Sequence, residues 1–490
     1  MKINYFETAV KHHKDGNWNK AKEIYEHILK QNPENFIVLQ NYGSLLAKLR
    51  EYKQAKNIFE KCLKIKPNDF LVLYNLGKFY QEMKIFDKAV PYYEKSYNIE
   101  PKKNLSMYNI GNIYLQESKF IDAINYFKKS IDTNPKNFYA YNNIGLAYKK
   151  MGNFNEAIKY YKSAIDINNN YVDGHTNYAT MLLTMNKLEL GFEEYEWRKK
   201  SKVFSDYLNY KDLSIKSPIW NGEKISGQKI LILSEQGIGD LIQFSRYLFV
   251  LRDEYNCKVI LRLKQNLSHF FKEERDIKII SEEDKILEHN FHNHLASLPG
   301  IIYKKNKKFP KTVKFIKENQ KLDEKWKNIL SKYKGLKIGI NSHSTATVGE
   351  RIIPIENFNY LTDLSKVKFF IIQKDFDKKK MNIINNNSNV TYFEDIDKNV
   401  KPFEDTISII KNLDLVITAD TAVAHLSATL GKKTWVILTF VSDWRWFTKT
   451  KNSDWYPTVT LYRQNKIGEW TSIFKTIEGD LNSYIKLLNN

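Results

Sequence analysis

Four prolines, Pro33, Pro67, Pro101 and Pro135, stand 34 residues apart in the first half of this chain. Gly43, Gly77, Gly111 and Gly145 keep the same step, as do Ala21, Ala55, Ala89, Ala123 and Ala157. Within each period the apolar residues advance by threes and fours, the spacing of one helix face. In 36–69, Leu39, Tyr42, Gly43 and Leu46 share a face of a first helix, Ala55, Phe59 and Cys62 share a face of a second, and Pro67 closes the unit. The pattern returns at 70–103 (Leu76, Gly77, Tyr80, Ala89, Tyr93), 104–137 (Ile110, Gly111, Tyr114, Ala123, Phe127) and 138–171 (Ile144, Gly145, Tyr148, Ala157, Tyr161). It is also present at 2–35 (Ala9, Ala21, Tyr25). A helix pair of this length cannot bury its apolar face alone, so stacked copies must build an α solenoid.

A worn sixth unit runs 172–205 with Tyr178, Ala179 and Leu182, Gly191 in the alanine place and Tyr195 in the aromatic place. Such a period resembles tetratricopeptide repeats. The worn end is expected to lie against another domain, where a polar cap is not needed. Asparagines recur on the first helices (Asn41, Asn75, Asn109, Asn142, Asn143, Asn177). By resemblance they face a concave groove and hold a peptide backbone; the plain alternative is a solvated face.

At 490 residues the chain has room for two or three domains, and 42% hydrophobic residues permit real cores. The formal charge of +21 suits an anionic partner, but it also follows from compositional drift, since lysines number 68 and arginines nine. No basic block interleaved with aromatics resembles a nucleic-acid module, so no nucleic-acid partner is expected. The two cysteines, Cys62 and Cys257, fall in different predicted domains, which argues against a disulfide framework and for a reducing compartment. The N-terminal stretch carries no apolar signal core, and no run approaches the length of a membrane span. A cytoplasmic location is the expectation.

From about residue 228 the period changes. The run KILIL (229–233), the turn SEQGIGD, an amphipathic stretch 241–254 and KVILRL (258–263) spell strand, turn, helix, strand, and hence a parallel sheet. A second series starts at KIGINSHS (337–344) and continues through 367–374, 390–396, a helix at 403–413, DLVITAD (414–420), a helix to Gly431 and TWVIL (434–438). The Lys-rich segment 300–320 reads as a linker. The expectation is α/β with two doubly wound, Rossmann-like lobes over 206–320 and 321–490, after a solenoid over 1–205. Ligands of such sheets bind at the carboxyl ends of strands.

Three constellations occupy those ends. Gly237-Ile238-Gly239-Asp240 follows the first strand, where two glycines permit a tight turn and a close backbone approach. Ile242 occupies the third glycine place of the dinucleotide fingerprint, and Arg262-Leu263-Lys264 lacks its ribose-binding acid, which argues against NAD. Asp240 either caps the helix or, facing the cleft, serves as a general base. Asp420-Thr421-Ala422-Val423-Ala424-His425 follows an apolar strand; Asp420 or Thr421 caps a helix whose positive end suits a diphosphate. His425 lies one turn in, either at the ligand or satisfied in the core. The turn 342–347, with Ser344, precedes Arg351; hydroxyls and a guanidinium there suit phosphate oxygens.

The stretch Asp443-Trp444-Arg445-Trp446-Phe447 offers Trp444 and Trp446 either as stacking faces for a sugar or base or as a hydrophobic seal. Asp375-x-Asp377, Asp395-x-Asp397 and the trio His289, His292, His294 imitate metal sites without supporting ligand spacing, and no metal is expected. No P-loop and no Gly-x-Ser-x-Gly elbow exists.

Together, GIGDLIQFSRYL (237–248), LASLPG (295–300), DLVITADTAVAHLSATLGKKTWVIL (414–438), DWRW (443–446) and DWYPTVTLYRQ (454–464) resemble GT-B glycosyltransferases of family nine, the ADP-heptose:lipopolysaccharide heptosyltransferases. The resemblance implies a nucleotide-diphosphate sugar as donor substrate, no cofactor, and inverting, metal-independent transfer. It assigns the acceptor-activating base position to Asp240 and the diphosphate cradle to Asp420, Thr421 and His425, with Arg351 near the phosphates. It also implies a final helix, 468–488, that crosses back to the first lobe. Ala422 stands where that family has glycine, and Asn341 where many repeat-fused relatives have an aromatic. The expected function is therefore glycosyl transfer to a protein or glycan acceptor chosen by the repeats. The alternative is a non-catalytic interaction scaffold with a degenerate nucleotide-binding module.

Overall fold

The computed structural model describes residues 5–102, 105–202, 204, 215–343, 352–362, 364, 366–374, 376, 389–448 and 450–489. They divide into two compact units, Met1–Gly174 and His175–Asn490.

The first unit stacks helices in antiparallel pairs: α1 (Tyr5–Lys14) with α2 (Trp18–Gln31), α3 (Phe36–Lys48) with α4 (Tyr52–Ile65), α5 (Phe70–Glu82) with α6 (Phe86–Ile99), α7 (Ser106–Gln116) with α8 (Phe120–Thr133), and α9 (Phe138–Lys150) with α10 (Phe154–Ile167). The ruler has a steric cause. A Cβ on Gly111 would lie 2.6 Å from the ring of Phe127, and one on Gly77 2.7 Å from Tyr93, so each first helix is cut back to admit the aromatic of its second. The side chains of Asn35, Asp69 and Asn137 accept from backbone N–H groups in the opening turns of α3, α5 and α9, satisfying donors that a helix start leaves bare. The tight turn inside each pair holds one residue at positive φ: Gly16, Arg50, Lys84, Ser118 and Gly152. Two of the recurrent asparagines bridge successive first helices, Asn109 to the Tyr74 hydroxyl at 3.1 Å and Asn143 to Asn112 at 2.8 Å.

The second unit opens at His175, within α11 (Val172–Thr184), and continues with α12 (Leu188–Tyr195) and a 3₁₀ turn, Glu196–Lys200. Leu183, Leu188, Phe192 and Tyr195 share one apolar core with the first sheet. The compact division thus falls at residue 174, where the sequence suggested 205. The worn repeat buries its apolar residues on α/β structure, which accounts for its lost consensus.

That sheet is built from β1 (Lys229–Leu233), α13 (Ile238–Phe244), α14 (Arg246–Glu254), β2 (Lys258–Leu263), β3 (Ile277–Ser281), β4 (Phe291–His294) and α15 (Leu298–Asn306). Its strands are parallel in the order β3-β2-β1-β4. The stretch 241–254 is two helices, broken where the Ser245 hydroxyl bonds back to the Leu241 carbonyl at 2.6 Å. The segment 300–320 is not all linker: α15 occupies its start and ends at Lys307 in the left-handed region.

After α16 (Gln320–Ser331), a second parallel sheet has the order β10-β9-β8-β5-β6-β7. It comprises β5 (Leu336–Asn341), α17 (Asn359–Thr362), β6 (Val367–Ile371), β7 (Val390–Tyr392), α18 (Glu404–Lys411), β8 (Leu415–Ala419), α19 (Ala422–Thr429), β9 (Thr434–Leu438) and β10 (Val459–Arg463). The last helix, α20 (Thr471–Asn489), does not cross back to the first sheet. Its Phe474, Ile477 and Leu481 complete the core of the second, with Phe358, Trp435 and Tyr462. Strand order reverses around β1 and around β5, so each sheet has a switch point, the place where sheets of this kind take their ligands. Among the described residues, no helix is long and apolar enough to cross a membrane.

Candidate functional site

Asp240 enters from the loop after β1. Gly237 is the N-cap of α13, and Asp240, three residues in, accepts the Gly237 N–H through Oδ2 at 3.1 Å. The capping role read from the sequence is thus present. Its Oδ1 accepts from the Arg445 guanidinium, which also donates to Asp443 Oδ1 at 2.7 Å. The side chains of Asp240 and Arg445 are 18% and 11% exposed, so this is a largely desolvated pair. Burial alone would pull the Arg445 pKa down; Asp240 and then Asp443 outweigh it and hold the guanidinium charged.

The second sheet brings α19 to the same place. Thr421, not Asp420, caps the helix, accepting from Val423 N–H at 3.3 Å. Asp420 instead accepts the Trp446 indole N–H at 2.7 Å. A Cβ added to Gly239 would meet His425 Cδ2 at 3.1 Å and Ala422 Cα at 3.7 Å, so what the Gly239 backbone approaches is α19 itself. Gly237 has no such constraint; a Cβ there would meet only Asp240 Oδ2, at 3.6 Å. His425 is buried, its ring stacked on Trp446 with centroids 5.1 Å apart and hydrogen-bonded to the Tyr456 hydroxyl at 3.2 Å. The core-satisfied reading of His425 describes this geometry.

The stacking role offered for Trp444 and Trp446 is corrected. Both rings are buried, Trp446 against His425 and Trp444 between Phe244 and Tyr195, and so form the seal that the sequence left as the alternative. A small hollow remains at the ends of β8 and β9, lined by Ile353, Asp420, Ile437, Leu438, Thr439 and Ser442. Beside it, Arg463 donates to Ser442 Oγ and to the carbonyls of Trp446 and Phe447, the last at 2.6 Å. Burial pushes its pKa down to about 10, against the pull of Asp420. Ser344 and Arg351 lie outside the described residues.

Two groups of residues escaped the sequence reading. Arg445 was visible only as part of an aromatic run, and its guanidinium also approaches Gln236 Oε1 at 3.4 Å. Arg198, from the turn after α12, donates to Glu235 Oε1 at 2.6 Å and to Ser297 Oγ at 2.9 Å. Glu235 is 1% exposed; burial pushes its carboxyl up and Arg198 draws it back. Arg445 and Glu235 lie in stretches that the sequence reading singled out, but their roles did not show there, because their partners come from distant segments of the chain.

The decoys that fall on described residues resolve as structure. Asp397 accepts from the N–H groups of Asp405 and Thr406 at the start of α18, while Asp395 faces solvent. His292 pairs with Ser217, and His289 with the Leu287 carbonyl. Asp375 and Asp377 lie outside the described residues. Three carboxylates (Asp240, Asp420 and Asp443), two guanidinium groups (Arg445 and Arg463) and the N-terminal end of α19 therefore gather at the carboxyl ends of the two sheets.

Family models for the tetratricopeptide repeat match residues 12–73, 71–103 and 138–171, and one for the TPR repeat matches 111–152. The chain up to about residue 190 is built of tetratricopeptide repeats, followed by a parallel-sheet α/β region. No curated protein matches the chain. Among solved structures, the MamA protein is 23% identical over 34% of this chain and 92% of its own, with a TM-score of 0.31. PilW, a type IV pilus biogenesis factor, is 17% identical over 42% and 96%, with a TM-score of 0.37. PilF of Pseudomonas aeruginosa is 18% identical over 42% and 96%, with a TM-score of 0.36.

Proposed function

We infer that the second unit is a glycosyltransferase with a GT-B arrangement, moving a sugar from a nucleotide-diphosphate donor to a protein or glycan acceptor selected by the repeats. Transfer is inverting and metal-independent. One observation carries the reading: Asp240, at the switch point of the first sheet, and the N-terminal end of α19, at that of the second, stand side by side, with Gly239 against Ala422 and His425. In the reaction Asp240 takes the proton of an acceptor hydroxyl as its oxygen attacks the anomeric carbon. The amides of α19, together with Arg463, carry the charge that develops on the departing diphosphate. Arg445 must first release Asp240, since both carboxylate oxygens are engaged. Tetratricopeptide repeats suit a protein partner, and the acceptor side of the reading rests on them.

The packed state of His425 and Trp446 favours a second reading, an interaction scaffold whose α/β unit keeps a nucleotide site without turnover. Hydrolysis of a panel of nucleotide sugars by wild type and Asp240→Asn separates the two. The transferase reading expects a fall of about two orders of magnitude or more in the variant. Equal background rates in both, with nucleoside diphosphates still raising the melting temperature, would favour the scaffold.

A further inference from the structure

We propose that Tyr195 and Arg198, at the end of the worn sixth repeat, are positioning residues for the loop that presents Asp240. The catalytic half of this proposal rests on the transferase reading.

In the loop between β1 and α13 two consecutive side chains, Glu235 and Gln236, bond to the end of the sixth repeat. Gln236 sits at φ +67°, a conformation that a residue with a Cβ adopts at a cost of about 1 kcal/mol or more. Something outside the loop has to hold it there. Its amide Nε2 donates to the Tyr195 hydroxyl at 2.7 Å, and its Oε1 accepts from Arg445 at 3.4 Å. Arg445 in turn donates to Asp240. Tyr195 is therefore joined to the carboxylate by a continuous chain, Tyr195–Gln236–Arg445–Asp240. One residue earlier, Glu235 Oε1 accepts from Arg198 at 2.6 Å and from the Ala296 N–H at 3.1 Å. Arg198 is fixed by the Tyr195 carbonyl at 3.1 Å and by Glu196 at 2.7 Å, with its guanidinium 4.6 Å from the centre of the Tyr195 ring. A single turn of chain thus grips both loop residues.

Packing explains the ring of Tyr195 but not its hydroxyl. The same place in the earlier repeats is held by Tyr25, Phe59, Tyr93, Phe127 and Tyr161. Phenylalanine serves at two of these, and the buried hydroxyls of Tyr25 and Tyr161 have no hydrogen-bond partner. Tyr93 spends its hydroxyl inside its own repeat, on Gln81 at 2.6 Å. Tyr195 directs the hydroxyl to the loop of the candidate site instead. Its edge-on contact with Trp444, centroids 5.7 Å apart, would survive replacement by phenylalanine.

The test uses the full chain with Tyr195→Phe and Arg198→Lys, read by hydrogen–deuterium exchange and by donor turnover. Peptides covering 234–240 should exchange about fivefold faster in each variant, the loss of about one net hydrogen bond, while those covering α14 keep the wild-type rate. Turnover should fall about tenfold with the donor KM within twofold, the signature of misplacement and not of lost binding. Wild-type exchange over 234–240 in both variants overturns the proposal. Faster exchange with unchanged turnover overturns the link to Asp240. A wild-type protein that turns over no donor removes the transferase reading, and the exchange data still decide whether the turn holds the loop. If Tyr195→Phe loses its fold, Gln236→Asn cuts the same chain from the loop side; wild-type loop exchange in that variant also overturns the proposal.

Discussion

The Arg445 guanidinium stands between two carboxylates, Asp240 of the first sheet's loop and Asp443 of its own. With the pair largely buried, removing the cation strands two negative charges, whereas removing one anion leaves the other in place. Arg445→Ala is therefore expected to cost about 3 kcal/mol of unfolding free energy, and Asp240→Asn clearly less. The double variant should be less damaged than the sum of the two. Urea unfolding of the four proteins measures the coupling; strict additivity would mean that the pair does not form in solution.

Gly111→Ala should destabilise the first unit, against the usual trend. Alanine in a helix is normally better than glycine by about 1 kcal/mol. Here the new methyl would lie 2.6 Å from the Phe127 ring, and overpacking of that kind costs about 1–3 kcal/mol. At Gly479, in α20, an added methyl would have nothing within 4 Å, so Gly479→Ala should stabilise by up to about 1 kcal/mol. Thermal melts of the two variants should move in opposite directions, and a shared sign would refute the steric account of the glycine ruler.

The repeats were legible because their physics is local. A glycine under an aromatic sixteen residues later recurs with every helix pair, and each recurrence is a fresh reading of one rule. The parallel strands were legible as well, since strands buried on both faces spell continuous apolar runs. The break at Ser245 and the return of α20 to the second sheet were not: the first turns on one local bond from a serine hydroxyl to the backbone, which the apolar pattern does not encode, and the second on tertiary packing. The site was half legible. Asp240, Thr421 and their glycines sit at strand ends, where the rule for α/β sheets looks. Arg445, Gln236, Glu235 and Arg198 act through partners from distant segments. A usable signal existed nonetheless. In a chain with 68 lysines and only nine arginines, each arginine is a candidate for a place where a planar fork serves, although Arg50 and Arg275 are exposed. Arg198, Arg246, Arg445 and Arg463 each satisfy several acceptors or stack in the second unit.

Both thiols should be silent in the native protein. Burial pushes Cys62 up to about 11 and Cys257 up to about 12, so little thiolate exists at neutral pH, and neither sulfur is accessible. Since Cys62 lies in the first unit and Cys257 in the second, each thiol reports the opening of one unit. Labelling with an aromatic disulfide reagent should give almost no reaction before denaturant is added, then one equivalent per unit as each unfolds. Rapid native labelling of either thiol would contradict its burial.

Stability should fall as the medium is acidified from pH 7 to 5, and His294 should account for part of the slope. Burial first, then Lys199 and Arg198, push its pKa down to about 2, so the folded state holds the ring neutral. Well above pH 6.5 neither the folded nor the unfolded ring carries a proton, and this contribution is complete. Below that value the unfolded chain binds a proton that the folded chain refuses, so stability is lost as pH falls, at up to about 1.4 kcal/mol per unit. Over pH 7 to 5 the loss attributable to one such histidine is about 2 kcal/mol. His292, also lowered by burial, adds in the same direction. Urea unfolding of His294→Gln across this range should show a shallower pH slope by close to one proton, whatever the variant's stability at pH 7. A slope equal to that of wild type would mean that His294 titrates alike in both states and is not held neutral by the fold.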